Sequence, residues 1–363
     1  MATSSNPPPS PPPPLQLTSL PGRGRALITS RAINPGEVLL TSSPLLLYPS
    51  SFSSLSSFCS RCSRSLPSAP LPCPSCHLAL FCSPSCLSLS HPHLLCRFLL
   101  QNPNRIHPNE QELLFLLSAY SLPPPSFGLL LSLHGHSSSS HREESFAIHS
   151  CLSSLLLNYS IPSTFSPELT AELLARDRTN SFALMEPFRE DDPDSHFKIR
   201  AYGVYPDAAF FNHDCLPNAC RFDYVDDRNA DIIVRAIHEI PEGREVCISY
   251  FPVNWTFKER QRRLLEDYGF RCECDRCRVE SEWKEDEMEE DEEDNNGDFP
   301  HAYFFVRFMC DRENCGGTLA PLPPSPDGMV SDVMECNVCG RMRKEEDVDE
   351  DDDVDGDEDM LDE

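Results

Sequence analysis

Phe210-Phe-Asn-His-Asp-Cys-Leu-Pro-Asn218 and, further along, Cys272-Glu-Cys-Asp-Arg-Cys277 are the two stretches that decide this fold. The second offers three thiols in C-x-C-x2-C spacing, where a tetrahedral metal takes four ligands. Cys215 in the first stretch is available as the fourth. One metal would therefore pin a C-terminal flap onto a ligand-binding loop and close a site between them. Between the two lie short predicted strands, Asp231–Ile237 and Glu245–Tyr250, parted by Pro241-Glu242-Gly243. Thr256-Phe-Lys-Glu259 is a capping box and Gly269 a C-cap, which predicts a helix over Phe257–Tyr268 that delivers the cysteines.

Toward the N-terminus, residues 59–96 carry Cys59-x2-Cys62, Cys73-x2-Cys76, Cys82-x3-Cys86, then His91 or His93, and Cys96. Eight ligands suit two closed tetrahedral zinc sites in a segment too small to build its own core. Ligand order predicts an interleaved pairing, with Cys59, Cys62, Cys82 and Cys86 on one ion and Cys73, Cys76, a histidine and Cys96 on the other. His93 lies three residues before Cys96 and shares its face on a helix, which favours it over His91. A closed four-ligand zinc leaves no open position, so structure rather than zinc catalysis is expected. Residues 109–180 are apolar at helical spacing in several blocks, with Ser166-Pro167 suited to an N-cap and first turn.

The chain has 18 cysteines, most of them in tight pairs. Met1 leads into a proline run, Pro7 to Pro14, rather than a basic patch and an apolar segment, and no apolar stretch reaches about 18 residues. The expectation is a soluble intracellular protein, in the nucleus, the cytoplasm or both, whose reduced thiols hold zinc. The net charge of −28 misdescribes the body of the chain: residues 280–294 hold 11 acidic groups and residues 345–363 another 14, leaving the remainder nearly neutral. Such runs repel themselves and read as a solvated linker and tail. No basic face suggests direct nucleic-acid contact, and no membrane association is expected.

The eight-ligand segment resembles a MYND finger, and the flanking pieces resemble a SET domain interrupted by it. This is the arrangement of the SET-and-MYND family of protein-lysine methyltransferases, including its plant ASH1-related members. The resemblance covers roughly residues 15–280. It implies an α+β fold: a β-rich SET domain with a knot-like crossing, in parts 15–50 and 196–251, interrupted by the MYND zinc finger at 59–96 and a helical insert at 100–190. A cysteine-rich post-SET segment at 252–280 follows. Outside the match lie a Pro-rich leader (1–14), the acidic linker (281–300), a zinc-ribbon-like module (303–343) and the acidic tail (344–363). In the family's finger, seven residues and then three flank the histidine; the counts to His93 are six and two.

Residue by residue, the resemblance implies an S-adenosylmethionine site. Gly22-Arg23-Gly24 matches the turn at the cofactor carboxylate, where glycines allow close backbone approach and Arg23 offers a charged donor. Asn180-Ser-Phe182 matches an N-x-F element in which Asn180 contacts the cofactor and Phe182 lines the lysine channel. Asn212 and His213 match the cofactor-holding pair, with Asp214 in place of the family's usual serine. Cys215, Cys272, Cys274 and Cys277 match the post-SET zinc site. Tyr250 falls on the catalytic tyrosine, which also contacts the cofactor. Tyr205 and Tyr268 fall among the channel aromatics, and Phe270 on the residue that stacks on adenine. Arg244 departs from a commoner Gly-Glu-Glu.

The implied reaction is methylation of a protein lysine ε-amine, on a histone tail first of all or on a non-histone protein. A free lysine titrates near pH 10.4 and only its neutral amine is nucleophilic, so a narrow aromatic channel that desolvates the ammonium would serve the reaction. Beyond the linker, Cys310-x4-Cys315-x20-Cys336-x2-Cys339 reads as two zinc knuckles, making a fourth zinc beside about three in the finger and post-SET segment. Cys151, Cys220 and Cys247 are left as structural thiols. A second reading is an inactive SET/MYND adaptor whose finger binds Pro-containing peptides in transcriptional complexes. Asp214 and Arg244 keep it open.

Overall fold

The computed structural model describes residues 13–89, 92–102, 108–156, 165–186, 188, 198–225, 230–283 and 300–344. Most of the Pro-rich leader, the acidic linker and the acidic tail lie outside these residues. The chain opens with an antiparallel hairpin, β1 (Leu15–Leu20) and β2 (Gly24–Thr29), in which Leu20 faces Gly24 across the Pro21-Gly22-Arg23 turn. Two further strands follow, β3 (Val38–Ser42) and β4 (Leu46–Pro49). The finger contributes a short hairpin, β5 (Leu71–Pro72) and β6 (Leu80–Phe81), then α1 (Pro84–Leu89) and α2 (His93–Gln101).

The insert is helical as its spacing predicts, in α3 (Glu110–Ala119), α4 (Pro124–Ser132), α5 (Ser139–Leu155) and α6 (Pro167–Asn180). Ser166 caps α6 by accepting from the Leu169 N–H, and Pro167 takes the first turn, where its missing N–H costs nothing. The helix ends at Asn180 and the chain passes directly into β7 (Ser181–Met185), so the last part of the span expected to be helical is strand. There β7 pairs with β8 (Ile199–Val204), which also pairs with β4. Phe182 is thereby carried from the insert onto a sheet of the SET-like core, with Asn180 closing the helix just before it.

The remaining strands of that core are β9 (Asn212–His213), β10 (Ala219–Asp223), β11 (Ile232–Ala236) and β12 (Cys247–Ile248), with β10, β11 and β3 forming one antiparallel sheet. β9 and β12 pair in parallel, Asn212 opposite Cys247 and His213 opposite Ile248. The Asn218 amide donates to the Glu245 carbonyl and accepts from the Cys247 N–H, which ties the 212–218 segment to that strand. Leu27, Ile33, Phe211, Ile232 and Val246 fill the core beneath.

The capping box forms as predicted: Thr256 accepts from the Glu259 N–H and the Glu259 carboxylate accepts from the Thr256 N–H, starting α7 (Phe257–Arg263). The helix widens to a π turn over Leu264–Tyr268 and stops at Gly269, whose φ of 77° is a left-handed conformation natural to glycine. Past this cap the cysteines are delivered into α8 (Asp275–Glu280).

The C-terminal unit comprises α9 (Ala302–Phe308) and an antiparallel sheet of β13 (Leu319–Pro321), β14 (Val333–Cys336) and β15 (Met342–Lys344). It shares a core with β10 and β11: Cys220, Phe222 and Ile237 pack with Phe308, Leu319 and Met334. Gly36 lies so close beneath it that a Cβ there would stand 2.3 Å from the Leu322 carbonyl oxygen. The unit is thus docked on the SET-like sheet.

Candidate active site and metal centres

Three complete sets of four cysteines converge, each with its sulfurs within 4.8 Å of one another: Cys59, Cys62, Cys82 and Cys86; Cys215, Cys272, Cys274 and Cys277; Cys310, Cys315, Cys336 and Cys339. Zinc–sulfur bonds of about 2.3 Å in a tetrahedron place sulfurs about 3.8 Å apart. Cys215 lies 3.9 Å from Cys272 and 3.5 Å from Cys277. Cys62 lies 3.6 Å from Cys82 and 3.8 Å from Cys86, and the C-terminal set has Cys310–Cys339 at 3.7 Å and Cys315–Cys336 at 3.6 Å. None of the 18 cysteines is joined in a disulfide. The donor sets fit zinc, with the interleaved pairing expected in the finger.

The fourth finger ligand is a correction. Among the described residues, Cys73, Cys76 and Cys96 converge without a histidine. His93 is exposed at the first position of α2, where side chains lean toward the N-terminus, and it does not join the sulfurs. Same-face spacing to Cys96 was not enough to bring it in. His91 lies outside the described residues.

The Cys215 set is embedded in buried charge. Arg260, wholly shut from solvent, donates through Nε to the Cys215 sulfur at 3.2 Å and pairs with Glu280. Arg276 meets the same carboxylate at 2.6 Å and donates to the Val253 and Trp255 carbonyls. Two guanidiniums against one carboxylate leave positive charge beside thiolates that would give a bound zinc a net negative shell. None of these partners has a local signature, and the sequence reading missed them.

Of the expected cofactor residues, Arg23, Asn212, His213 and Tyr250 meet around β9. Gly22 and Gly24 have φ of 75° and 73°, and a Cβ on either would project into open space. Arg23, between them, donates through NH2 to the His213 carbonyl at 3.2 Å and pairs through Nε with Glu245 at 2.5 Å. Asn212 donates from Nδ2 to Glu245 at 2.8 Å and to the Arg25 carbonyl at 3.2 Å. The His213 ring sits between Tyr250, whose N–H it accepts at Nδ1, and the Cys215 sulfur, 3.2 Å from Nε2. Burial holds that imidazole neutral, its pKa pushed down to about 3. Asp214 accepts the Leu216 N–H at 2.8 Å, an Asx turn that a serine could also make, and burial lifts its pKa to about 7. Arg244 is exposed. Both departures are accommodated without disturbing the pair.

The Tyr250 hydroxyl donates to the Phe211 carbonyl at 2.8 Å, and burial raises its pKa. Its ring lies 4.8 Å from that of Tyr268, whose pKa burial lifts to about 12. Phe270 stands next to Tyr268 with its face partly open. Phe182 meets Tyr205 edge-on at 5.8 Å. Tyr205 itself is wholly buried, its hydroxyl on the Ala230 carbonyl and its ring filling the space a side chain at Gly203 would take. It serves as packing and presents no surface to a substrate.

Asn180 is buried at the end of α6, its Nδ2 donating to the His134 and Arg176 carbonyls. The segment that holds it also reaches the flap: a Cβ on Gly269 would lie 2.5 Å from the His136 ring. This contact between insert and flap had no sequence signal beyond the glycine cap. Cys220 and Cys247 are buried as expected, and Cys151 is half-buried. No helix among the described residues is long and apolar enough to cross a membrane.

The chain is similar to several known proteins. The family described as SET domain matches residues 24–251. The Arabidopsis thaliana protein named histone-lysine N-methyltransferase ASHR2 is 46% identical, with 92% of this chain and 96% of that protein covered. The human N-lysine methyltransferase SMYD2 is 28% identical, over 71% of this chain and 58% of that protein. Among solved structures, Rubisco LSMT bound to AdoMet aligns at 14% identity and a TM-score of 0.34, covering 72% of this chain and 53% of that one.

Proposed function

The chain belongs to the SET-domain family, and from that premise we propose that it is an S-adenosylmethionine-dependent protein-lysine N-methyltransferase acting on histones. The observation that carries the reading is the loop Asn212–Cys215: one short segment supplies the cofactor pair, a ring against the Tyr250 backbone and the fourth ligand that anchors the flap.

The residues fit the cofactor. Arg23 and Asn212 offer a charged donor and an amide beside a glycine turn open to solvent, and Phe270 offers a partly exposed ring. When bound, S-adenosylmethionine supplies an electrophilic methyl group on a positively charged sulfur. The chain's own task is to deliver a neutral amine. Tyr250 and Tyr268, ring against ring, together with Phe182 would desolvate an entering lysine, which lowers its pKa from the usual 10.4 or so. Tyr250, its hydroxyl already directed by the Phe211 carbonyl, orients the amine, and alignment supplies much of the acceleration. Neutral His213 adds no positive charge to the pocket.

The zinc ions, four in this reading, are structural, the Cys215 ion joining loop to flap. Binding of Pro-containing peptides by the finger, and a nuclear location, are further parts of the proposal that rest on the family resemblance and the name of the Arabidopsis relative.

Isothermal titration with S-adenosylmethionine and S-adenosylhomocysteine, followed by a radiolabelled methyl-transfer screen on histones, tests the reading. Binding that vanishes in Asn212→Ala, with label entering a histone lysine, is expected. A well-folded wild type that binds neither cofactor form would replace it with the adaptor reading.

A further inference from the structure

Glu245 spends one carboxylate on both residues of the cofactor cradle. Oε1 accepts from Asn212 Nδ2 at 2.8 Å, and Oε2 pairs with Arg23 Nε at 2.5 Å. The Asn212 amide is surrounded by acceptors alone on that side: the Glu245 carboxylate and the carbonyls of Arg23 and Arg25. Its nitrogen must therefore face them, and the amide cannot flip without setting oxygen against oxygen. Oδ1 is then committed as the outward acceptor, and no donor meets it among the described residues. On Arg23, Nε is taken by Glu245 and NH2 by the His213 carbonyl and the Cys247 sulfur at 3.3 Å, while NH1 has no partner among the described residues. The two residues are left with one acceptor and one charged donor, the pair of groups complementary to a zwitterionic α-amino acid.

We propose that Glu245 is the positioning residue that selects the amino-acid end of the cofactor, fixing Asn212 Oδ1 to accept the α-ammonium and Arg23 NH1 to donate to the α-carboxylate. The inference rests on the cofactor reading above. It assigns Glu245 no contact with the ligand; the residue acts through the two it holds. A glutamine there would set an amide N–H against a donor on one side and orphan either Asn212 or Arg23, so a neutral isostere is a sufficient probe.

The test compares S-adenosylhomocysteine with 5′-methylthioadenosine, which keeps the nucleoside and lacks the amino acid, by calorimetry on the zinc-loaded full chain. In Glu245→Gln, affinity for S-adenosylhomocysteine falls by roughly 10- to 100-fold, the loss that accompanies a broken charge-assisted pair, while affinity for 5′-methylthioadenosine stays within about twofold. Retained binding of 5′-methylthioadenosine also shows that the variant is folded. Parallel losses for both ligands would reduce Glu245 to a general prop of the pocket and overturn the proposal, as would unchanged affinity for both. Failure of the wild type to bind either ligand would instead bring down the cofactor reading itself.

Discussion

Arg260 Nε lies 3.2 Å from the sulfur of Cys215, and both side chains are shut off from solvent. The guanidinium thus faces a thiolate set on one side and Glu280 on the other. Replacing it with methionine leaves Glu280 with Arg276 alone and the sulfurs without their nearest cation. Arg260→Met is expected to cost about 3–5 kcal/mol of stability, the usual consequence of removing one partner of a buried pair, and to weaken zinc retention at this site. Urea denaturation and elemental analysis check it; a variant with wild-type stability and metal would show that Arg260 only fills space.

Tyr250 and Phe211 share a hydrogen bond of 2.8 Å that aims the phenol without taking its acceptor lone pairs. Tyr250→Phe removes the hydroxyl and little else. Turnover on a histone substrate should fall by about 10²-fold or more, while calorimetric affinity for S-adenosylhomocysteine is retained. Turnover near wild type would remove the hydroxyl from the mechanism.

Metal content separates the sites. The wild-type chain should carry four zinc ions, and Cys215→Ser three, with cofactor binding lost because the flap bearing Tyr268 and Phe270 is no longer anchored to the β9 loop. Wild-type stoichiometry in Cys215→Ser, measured by mass spectrometry under native conditions, would remove that residue from the ligand set.

The parts of this fold that were legible are those written in local spacing. Thr256 with Glu259, Ser166 with Pro167, and Gly269 specify helix ends through contacts made within a turn, and each is realised as read. Thiol spacing gave the metal sets because a zinc tetrahedron needs ligands in pairs that a short chain can bring together. Long-range pairs left no such trace. Glu245 reaches Asn212 and Arg23 across more than thirty and two hundred residues respectively, and Arg260 meets Cys215 from another element. His93 shows the limit of periodicity: it shares the helix spacing of Cys96 yet faces solvent. Tyr205 shows another, since being aromatic did not say whether it would be exposed to a ligand or buried as packing.

Asp177 gives a pH dependence. It is buried on α6, accepting from the Tyr48 hydroxyl at 2.5 Å and from Ser181, and burial raises its pKa from 3.8 to about 6. A carboxyl with a higher pKa in the folded state is bound to its proton more tightly there than in the unfolded chain. Its stability advantage is whole below about pH 4 and is lost as pH climbs through about 6. Asp177→Asn cannot ionise, so its stability relative to wild type should improve from pH 4 to pH 7 by about 3 kcal/mol at most. Chemical denaturation of both proteins across that range checks the sign; a constant difference would place the titration elsewhere.

Glu335 on β14 is where the C-terminal unit is electrostatically fixed to the core. It takes 2.7 Å contacts from Arg235 on β11 and from the Tyr224 hydroxyl, and Arg235 lies with its guanidinium 3.6 Å over the Phe222 ring. With Arg235 and Glu335 both nearly inaccessible, neither charge can turn to water if the other is removed. Glu335→Met should therefore destabilise the protein by about 3–5 kcal/mol, whereas adding Arg235→Met should recover most of that loss, because a hydrophobic pair needs no desolvation of charge. A double-mutant cycle on unfolding free energies measures the coupling directly. Strong non-additivity means that the unit is held to the SET-like sheet through this pair. Additive effects would mean that the docking resides in the shared apolar core of Phe222, Ile237, Phe308 and Leu319 instead.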